Sequence, residues 1–186
     1  MSARSPLTVV AVNGSPSHPS RSRTVAEAVL SAIEERGAAS GQPIEGEVID
    51  LASLDPAALL AIASDAEVDA ARDAVAAASI LVVATPVYRA TYTALTKTIF
   101  DLLPQGALEG TVVVPIATGY GADHHLSVDH GLRPLVASLG GWTVPSGIYA
   151  TKADIGDDGA FSEKLTRTVA AASDEALALA GALAGQ

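Results

Sequence analysis

Three stretches of this 186-residue chain concentrate residue types that can hold a small anionic ligand with a flat body. The first, "GSPSHPSRS" at 14–22, sets hydroxyls at Ser15, Ser20 and Ser22 around Arg21, directly ahead of a helical pattern. A helix start offers unpaired backbone N–H groups and a partial positive charge. Hydroxyls and a guanidinium gathered there describe a phosphate cradle, to which Arg23 adds a further cation. The same stretch also reads as a helix cap behind an exposed serine-rich turn. It lacks the Gly-Lys-Ser/Thr of a nucleotide-binding P-loop, and Gly14 alone does not make G-x-G-x-x-G. A single terminal phosphate therefore suits it better than a triphosphate or a bridging diphosphate.

The second stretch, "TPVYRATYTALTKTIFDLLP" at 85–104, carries Pro86, Val87, Tyr88 and Arg89. Pro86 stiffens the turn, and Val87 with Tyr88 can wall a flat apolar ligand. Arg89 can aim charge at that ligand's polar edge or at an incoming phosphate. Taken alone, this loop is better explained as an ordinary strand–helix turn with a half-buried tyrosine. The third stretch, "ATGYGADHH" at 117–125, places Gly119 and Gly121 around Tyr120. Glycines admit close backbone approach, and Thr118 with nearby N–H groups can bond a ring carbonyl. Its other reading is a glycine turn.

Other chemistries fit poorly. His124, His125 and His130, with Asp123 and Asp129, match no metal-ligand spacing, so no metal is expected. G-x-S-x-G is absent, and no base is identified beside Ser15 as a nucleophile. No catalytic side chain is expected. The chain has no cysteine, which removes disulfides, thiolate nucleophiles and iron–sulfur ligation. Its formal charge of −10 argues against a nucleic-acid grip but leaves room for a small anion in a locally positive pocket. The N-terminal residues lack a secretory signal pattern, and no stretch approaches the ~20 apolar residues of a membrane helix. A cytoplasmic location without a membrane partner is the expectation.

The elements that must position the three loops follow from periodicity. Continuous apolar runs at 7–13, 80–84 and 112–117 read as strands buried on both faces, with further strands at 46–51 and 143–149. Helical spacing occupies 23–35, with Gly37 as its stop, and then 67–78, 94–103, 126–139 and 161–183. Strands and helices alternate, and aromatics make up only 4% of the chain. The expectation is one α/β domain over 1–186: a flavodoxin-like three-layer sandwich around a five-stranded parallel sheet of order 2-1-3-4-5. In such sheets ligands bind beyond the carboxyl ends of the strands, where the three unusual loops lie. One phosphate at the first loop and a planar ring between the other two is the shape of flavin mononucleotide, FMN.

At these loops the sequence resembles the NAD(P)H-dependent FMN reductase family, in particular the branch that serves alkanesulfonate monooxygenases. The carrying residues are "GSPSHPSRS", "ATPVYRATYTALTKTIFDLLP" at 84–104 and "ATGYGADHHLSVDHGLRPLVASLGG" at 117–141. The resemblance implies that Ser15, Ser20, Arg21 and Ser22 hold the FMN phosphate. It implies that Pro86, Val87, Tyr88 and Arg89 flank the isoalloxazine ring, and that Thr118, Gly119, Tyr120 and Gly121 contact its polar edge. It further implies hydride transfer from NADPH or NADH to flavin N5, a homodimer or homotetramer, and release of reduced FMN to a partner monooxygenase.

Three positions depart from the family's pattern: Ser17 where Arg is frequent, Tyr120 where glycine is frequent, and His130 where the sulfonate branch can carry a tyrosine linked to a widened helical turn. Two alternatives stand beside the reductase. One is a flavodoxin-type electron carrier, although the Thr/Ser-x-Thr-Gly-x-Thr phosphate loop of flavodoxins is absent. The other is a related flavoprotein that reduces quinones or azo compounds.

Overall fold

The computed structural model describes residues 5–156 and 158–184. Seven apolar or small residues, Leu7–Asn13, form β1, and the chain then enters α1 at Arg21–Ser40. β2 (Ile44–Asp50), a short α2 (Pro56–Leu59) and α3 (Ala66–Ala77) follow. Next come β3 (Ile80–Pro86), α4 (Ala94–Asp101) and β4 (Val112–Gly119). The chain closes with α5 (Arg133–Ala137), β5 (Trp142–Thr143), β6 (Ile148–Thr151) and α6 (Glu163–Ala184). All pairings are parallel and run β2-β1-β3-β4-β5, with β6 also on β4. This is the flavodoxin-like order that alternation predicted.

Alternation within each central strand divides the core into two. Val9, Ala11, Val82 and Val114 face α1 and α6, meeting Val25, Val29, Ile33, Val169 and Ala176. Val10, Val12, Leu81 and Val83 face α3, α4 and α5, meeting Val68, Val75, Ile99 and Val136. Both sheet faces are therefore apolar, which is why the strands read as unbroken hydrophobic runs. Each fully buried aliphatic side chain contributes about 1.5–3 kcal/mol. Among the described residues no helix is long and apolar enough to cross a membrane.

Three details differ from the expected elements. α1 runs through Gly37 and stops at Gly41, whose φ of 69° terminates the helix. Gly37 answers a different need: a Cβ there would lie 2.4 Å from Ile44 Cγ1, so the glycine lets β2 pass close to the helix. The fifth strand is split into β5 and β6. Between them the Arg133 guanidinium takes the carbonyls of Val144 and Pro145, both at 2.7 Å, in place of a partner strand.

The expected helix over 126–139 is interrupted by a widened turn, Val128–Leu132, in which the Arg133 amide bonds back to the Val128 carbonyl. Pro134 explains it: without an N–H it cannot continue the regular ladder to His130. The helix therefore carries a wide turn, with His130 exposed on it. Gly131 lets it press on the second loop, since a Cβ would meet Thr91 Oγ1 at 2.8 Å.

Candidate active site

The carboxyl ends of β1, β3 and β4 are stitched together by backbone. Gly14 N donates to Ala84 O at 2.8 Å, and Val87 N donates to Thr118 O at 2.8 Å. Beneath them lies a buried cluster of threonines. Thr93 Oγ1 donates to Gly14 O at 2.6 Å, and Thr96 Oγ1 donates to Thr85 Oγ1 at 2.8 Å. Thr93 also caps α4, accepting from Thr96 N at 3.0 Å. The cluster ties the first loop to the second. It also explains Gly14, where a Cβ would fall 2.0 Å from Thr96 Oγ1.

These loop ends enclose a cavity of about 280 Å³. The first loop contributes Ser15, Ser20, Arg21 and Ser22, joined by Ser17 and Pro19. The second contributes Pro86, Val87 and Tyr88, and the third Thr118, Gly119 and Tyr120. Ten of the twelve residues expected from sequence thus line one cavity. Arg89 and Gly121 do not. Arg89 sits at the tip of a two-residue hairpin turn closed by Tyr88 N donating to Thr91 O at 2.9 Å. Both tip residues are left-handed, Arg89 at φ 52° and Ala90 at φ 70°. Such a turn normally takes glycine or asparagine, and each other residue there costs about 1–2 kcal/mol.

Sequence reasoning missed Asn13, which organises the first loop. Asn13 is fully buried at the end of β1. Its Oδ1 is approached by three donors: Ser22 Oγ at 3.1 Å, Ser20 Oγ at 3.3 Å and Ser15 N at 3.4 Å. The Ser20 and Ser22 hydroxyls are also 3.0 Å from each other. An amide oxygen has two lone pairs, so with Ser15 N and one hydroxyl on it the other hydroxyl donates to its neighbour, and Asn13 holds the whole loop through one atom. Asn13 Nδ2 in turn donates to Asp50 Oδ1 at 3.4 Å, and the sheet register sets Asn13 directly beside Asp50. Only that register, not local sequence, reveals the pair.

Arg23 is not an anion-binding group here. Its guanidinium binds Glu27 at 2.8 Å and Asp50 at 3.0 Å. Hydrogen bonding to Glu27, then to Asp50, raises its pKa further above the ordinary arginine value. Ser20 carries a second task as the cap of α1, accepting from Arg23 N at 3.2 Å.

Tyr149, on β6, is the other residue missed. Its hydroxyl donates to Gly121 O at 2.5 Å and so anchors the third loop from below. A Cβ at Gly119 would lie 1.9 Å from that hydroxyl, so Gly119 and Tyr149 fit only as a pair. Burial, with a smaller contribution from Asp123, pushes the Tyr149 phenol above its usual pKa. Tyr88 and Tyr120 stand at the mouth, 48% and 86% exposed. Among the described residues no three His, Asp or Glu side chains come together as a metal site.

The cavity fits FMN in chemistry: hydroxyls and a guanidinium at a helix start for the phosphate, then an apolar wall, then backbone and threonine groups for the ring's polar edge. Comparison with known proteins agrees. Residues 7–155 match the family model described as NADPH-dependent FMN reductase. A "NADH-dependent FMN reductase SfnF" of Pseudomonas fluorescens is 39% identical, covering 95% of this chain and 93% of its own length. An "FMN reductase (NADPH)" of Pseudomonas aeruginosa is 36% identical over 95% of this chain and 94% of its own. Among solved structures, the apo form of an NADH:FMN oxidoreductase, EMOB, superposes with a TM-score of 0.83 at 32% identity, covering 97% of this chain and 91% of that one. With sequence, sheet order and cavity in agreement, the chain belongs to the NADPH-dependent FMN reductase family, whose reaction uses FMN and NAD(P)H.

Proposed function

We propose that this NAD(P)H-dependent FMN reductase holds FMN with its phosphate on the first loop and its ring system between the second and third. The observation that carries this reading is the gathering of Ser15, Ser20, Arg21 and Ser22 along one wall of the cavity at the first turn of α1. A phosphate matches the free backbone N–H groups of that turn, the hydroxyls and the guanidinium. Ser15, Ser20, Arg21 and Ser22 bind it. Pro86, Val87 and Tyr88 orient the ring, and Thr118, Gly119 and Tyr120 meet its polar edge. Gly121 serves through its carbonyl, which Tyr149 holds. The whole chain acts as one FMN-binding domain.

Bound FMN supplies the hydride acceptor, and the chain contributes orientation and exclusion of water rather than an acid or base. Reduced FMN then leaves for a partner monooxygenase. The resemblance to reductases of alkanesulfonate systems supports this step, as does the open mouth flanked by two exposed tyrosines. A homo-oligomer in the cytoplasm completes the reading. Exposed Tyr88 and Tyr120 at the mouth supply apolar surface for such an assembly.

The test is turnover. Purified chain, excess free FMN and NADH or NADPH are mixed without oxygen, and flavin bleaching is followed. Reduction of many FMN equivalents per chain is expected. Reduction of one tightly bound equivalent with no further turnover would instead identify an electron carrier.

A further inference from the structure

Seven arginines lie among the described residues. Five are ion-paired: Arg23 with Glu27 and Asp50, Arg36 with Asp174, Arg72 with Asp69 and Asp73, Arg133 with Asp129, and Arg167 with Glu163. Among those residues, Arg21 and Arg89 alone of the seven have no carboxylate within ion-pair distance. In a chain with 21 acidic residues, two unpaired guanidiniums are a departure, and both belong to loops that form the cavity. Arg21 lines it. Arg89 follows Tyr88, which also lines it, but stays outside at the hairpin tip.

That tip is conformationally costly, with two consecutive non-glycine residues in the left-handed region. Strain of this kind is retained where the surrounding structure enforces it, often at a ligand site. The hairpin's own hydrogen bonds between Tyr88 and Thr91 enforce it here and hold residue 89 at the rim.

We propose that Arg89 binds the diphosphate bridge of the incoming nicotinamide dinucleotide, while Arg21 serves the FMN phosphate. The inference rests on the reading of the cavity as the flavin site. In that reading the flavin occupies the cavity, and the second substrate brings its nicotinamide ring to it through the open mouth. The diphosphate is then left outside, at the mouth. It carries two negative charges toward a protein of net charge −10 and needs a local cation there. A guanidinium matches two phosphate oxygens at once. Because NADH and NADPH share this bridge, Arg89 confers affinity for the dinucleotide class and not preference within it.

The experiment uses the full chain with FMN and three hydride donors: NADH, NADPH and 1-benzyl-1,4-dihydronicotinamide, which has no phosphate. Arg89→Ala is expected to lower kcat/KM about tenfold for NADH and NADPH alike, chiefly through KM. Its loss with the benzyl donor is expected to be at least fivefold smaller, about the separation that loss of a charge-assisted contact gives. Arg89→Lys recovers part of the loss. The FMN dissociation constant, read by fluorescence quenching, moves less in Arg89→Ala than in Arg21→Ala. Equal losses with all three donors would overturn the proposal and assign Arg89 to the fold or the flavin. A loss confined to NADPH, or none, would overturn it as well. Failure of the unaltered chain to reduce FMN with any donor would sink the flavin reading itself, and this inference with it.

Discussion

Asn13 Oδ1 accepts from the Ser22 hydroxyl at 3.1 Å, although nine positions separate the two residues and neither side chain reaches bulk solvent. The contact fixes the position of a side chain assigned to the phosphate. Replacing Asn13 by Ala leaves the Ser20 and Ser22 hydroxyls without their shared acceptor. A loss of about 1–3 kcal/mol in unfolding free energy is expected, measured by denaturant titration. Asn13→Asp keeps the shape but sets a second carboxylate beside Asp50 and near the bound phosphate. FMN affinity is expected to fall more in Asn13→Asp than in Asn13→Ala, while riboflavin separates the two variants less. If both ligands weaken equally, Asn13 acts on the fold and not on the cradle.

The cradle itself is tested through the serines. Ser22→Ala is cleaner than Ser20→Ala, because Ser20 also caps α1 and its loss costs helix stability, typically ~1 kcal/mol. The double variant is expected to weaken FMN by at least about tenfold, a reasonable cost for lost hydrogen bonds to a charged group, and to change riboflavin binding far less. Isothermal titration with both ligands decides the matter.

Tyr149→Phe removes the hydroxyl that holds Gly121 O. Because this support acts on the third loop, FMN and riboflavin are expected to weaken together, by a few-fold for a neutral hydrogen bond of about 1 kcal/mol. Gly119→Ala is expected to be more severe, since its Cβ would lie 1.9 Å from the Tyr149 hydroxyl. A normal flavin affinity in Gly119→Ala would show that the third loop plays no part in binding.

Asp154 gives a pH dependence. Burial alone would raise its pKa, but hydrogen bonds from the Thr151 amide, the Thr151 hydroxyl and Ser162 outweigh burial and hold it below the ordinary aspartate value. Asp154 joins the end of β6 to the start of α6, with Thr151 Oγ1 at 2.8 Å and Ser162 Oγ at 2.9 Å. A depressed carboxylate stabilises the fold above its unfolded pKa, and that stability is lost as pH falls through the folded pKa. Asp154→Asn is therefore expected to be less stable than the unaltered chain at neutral pH. The gap closes in acid, below the ordinary carboxylate range. A gap that stays constant from pH 7 to strongly acidic conditions refutes this assignment.

How much of this was legible in the sequence depended on the distance over which each residue acts. β3 and β4 stood out because both faces of each strand are buried, so residues 80–84 and 112–117 are almost wholly apolar. Ser20 and Thr93 announce helix starts within a few residues. Asn13 and Tyr149 did not stand out, because their roles come from register and from partners on other elements: Asp50 at 37 positions and Gly121 at 28. Gly37 misled because close helix–strand approach and helix termination call for the same residue. The split fifth strand was hidden because Arg133, on the preceding helix, supplies the donors that a neighbouring strand would have supplied.

That split has a consequence for solution behaviour. A sheet has two free edges, and each can recruit a strand from another molecule. Here one edge, β2, exposes Glu45 and Glu47. The other is broken between β5 and β6, where Pro145 intervenes and the Ser146 amide is taken by Glu175 at 2.7 Å. Neither edge offers a long, flat, uncharged row of backbone groups. A chain that is nearly half apolar can thus present an open, tyrosine-flanked mouth to its ligands without inviting edge-to-edge fibre growth.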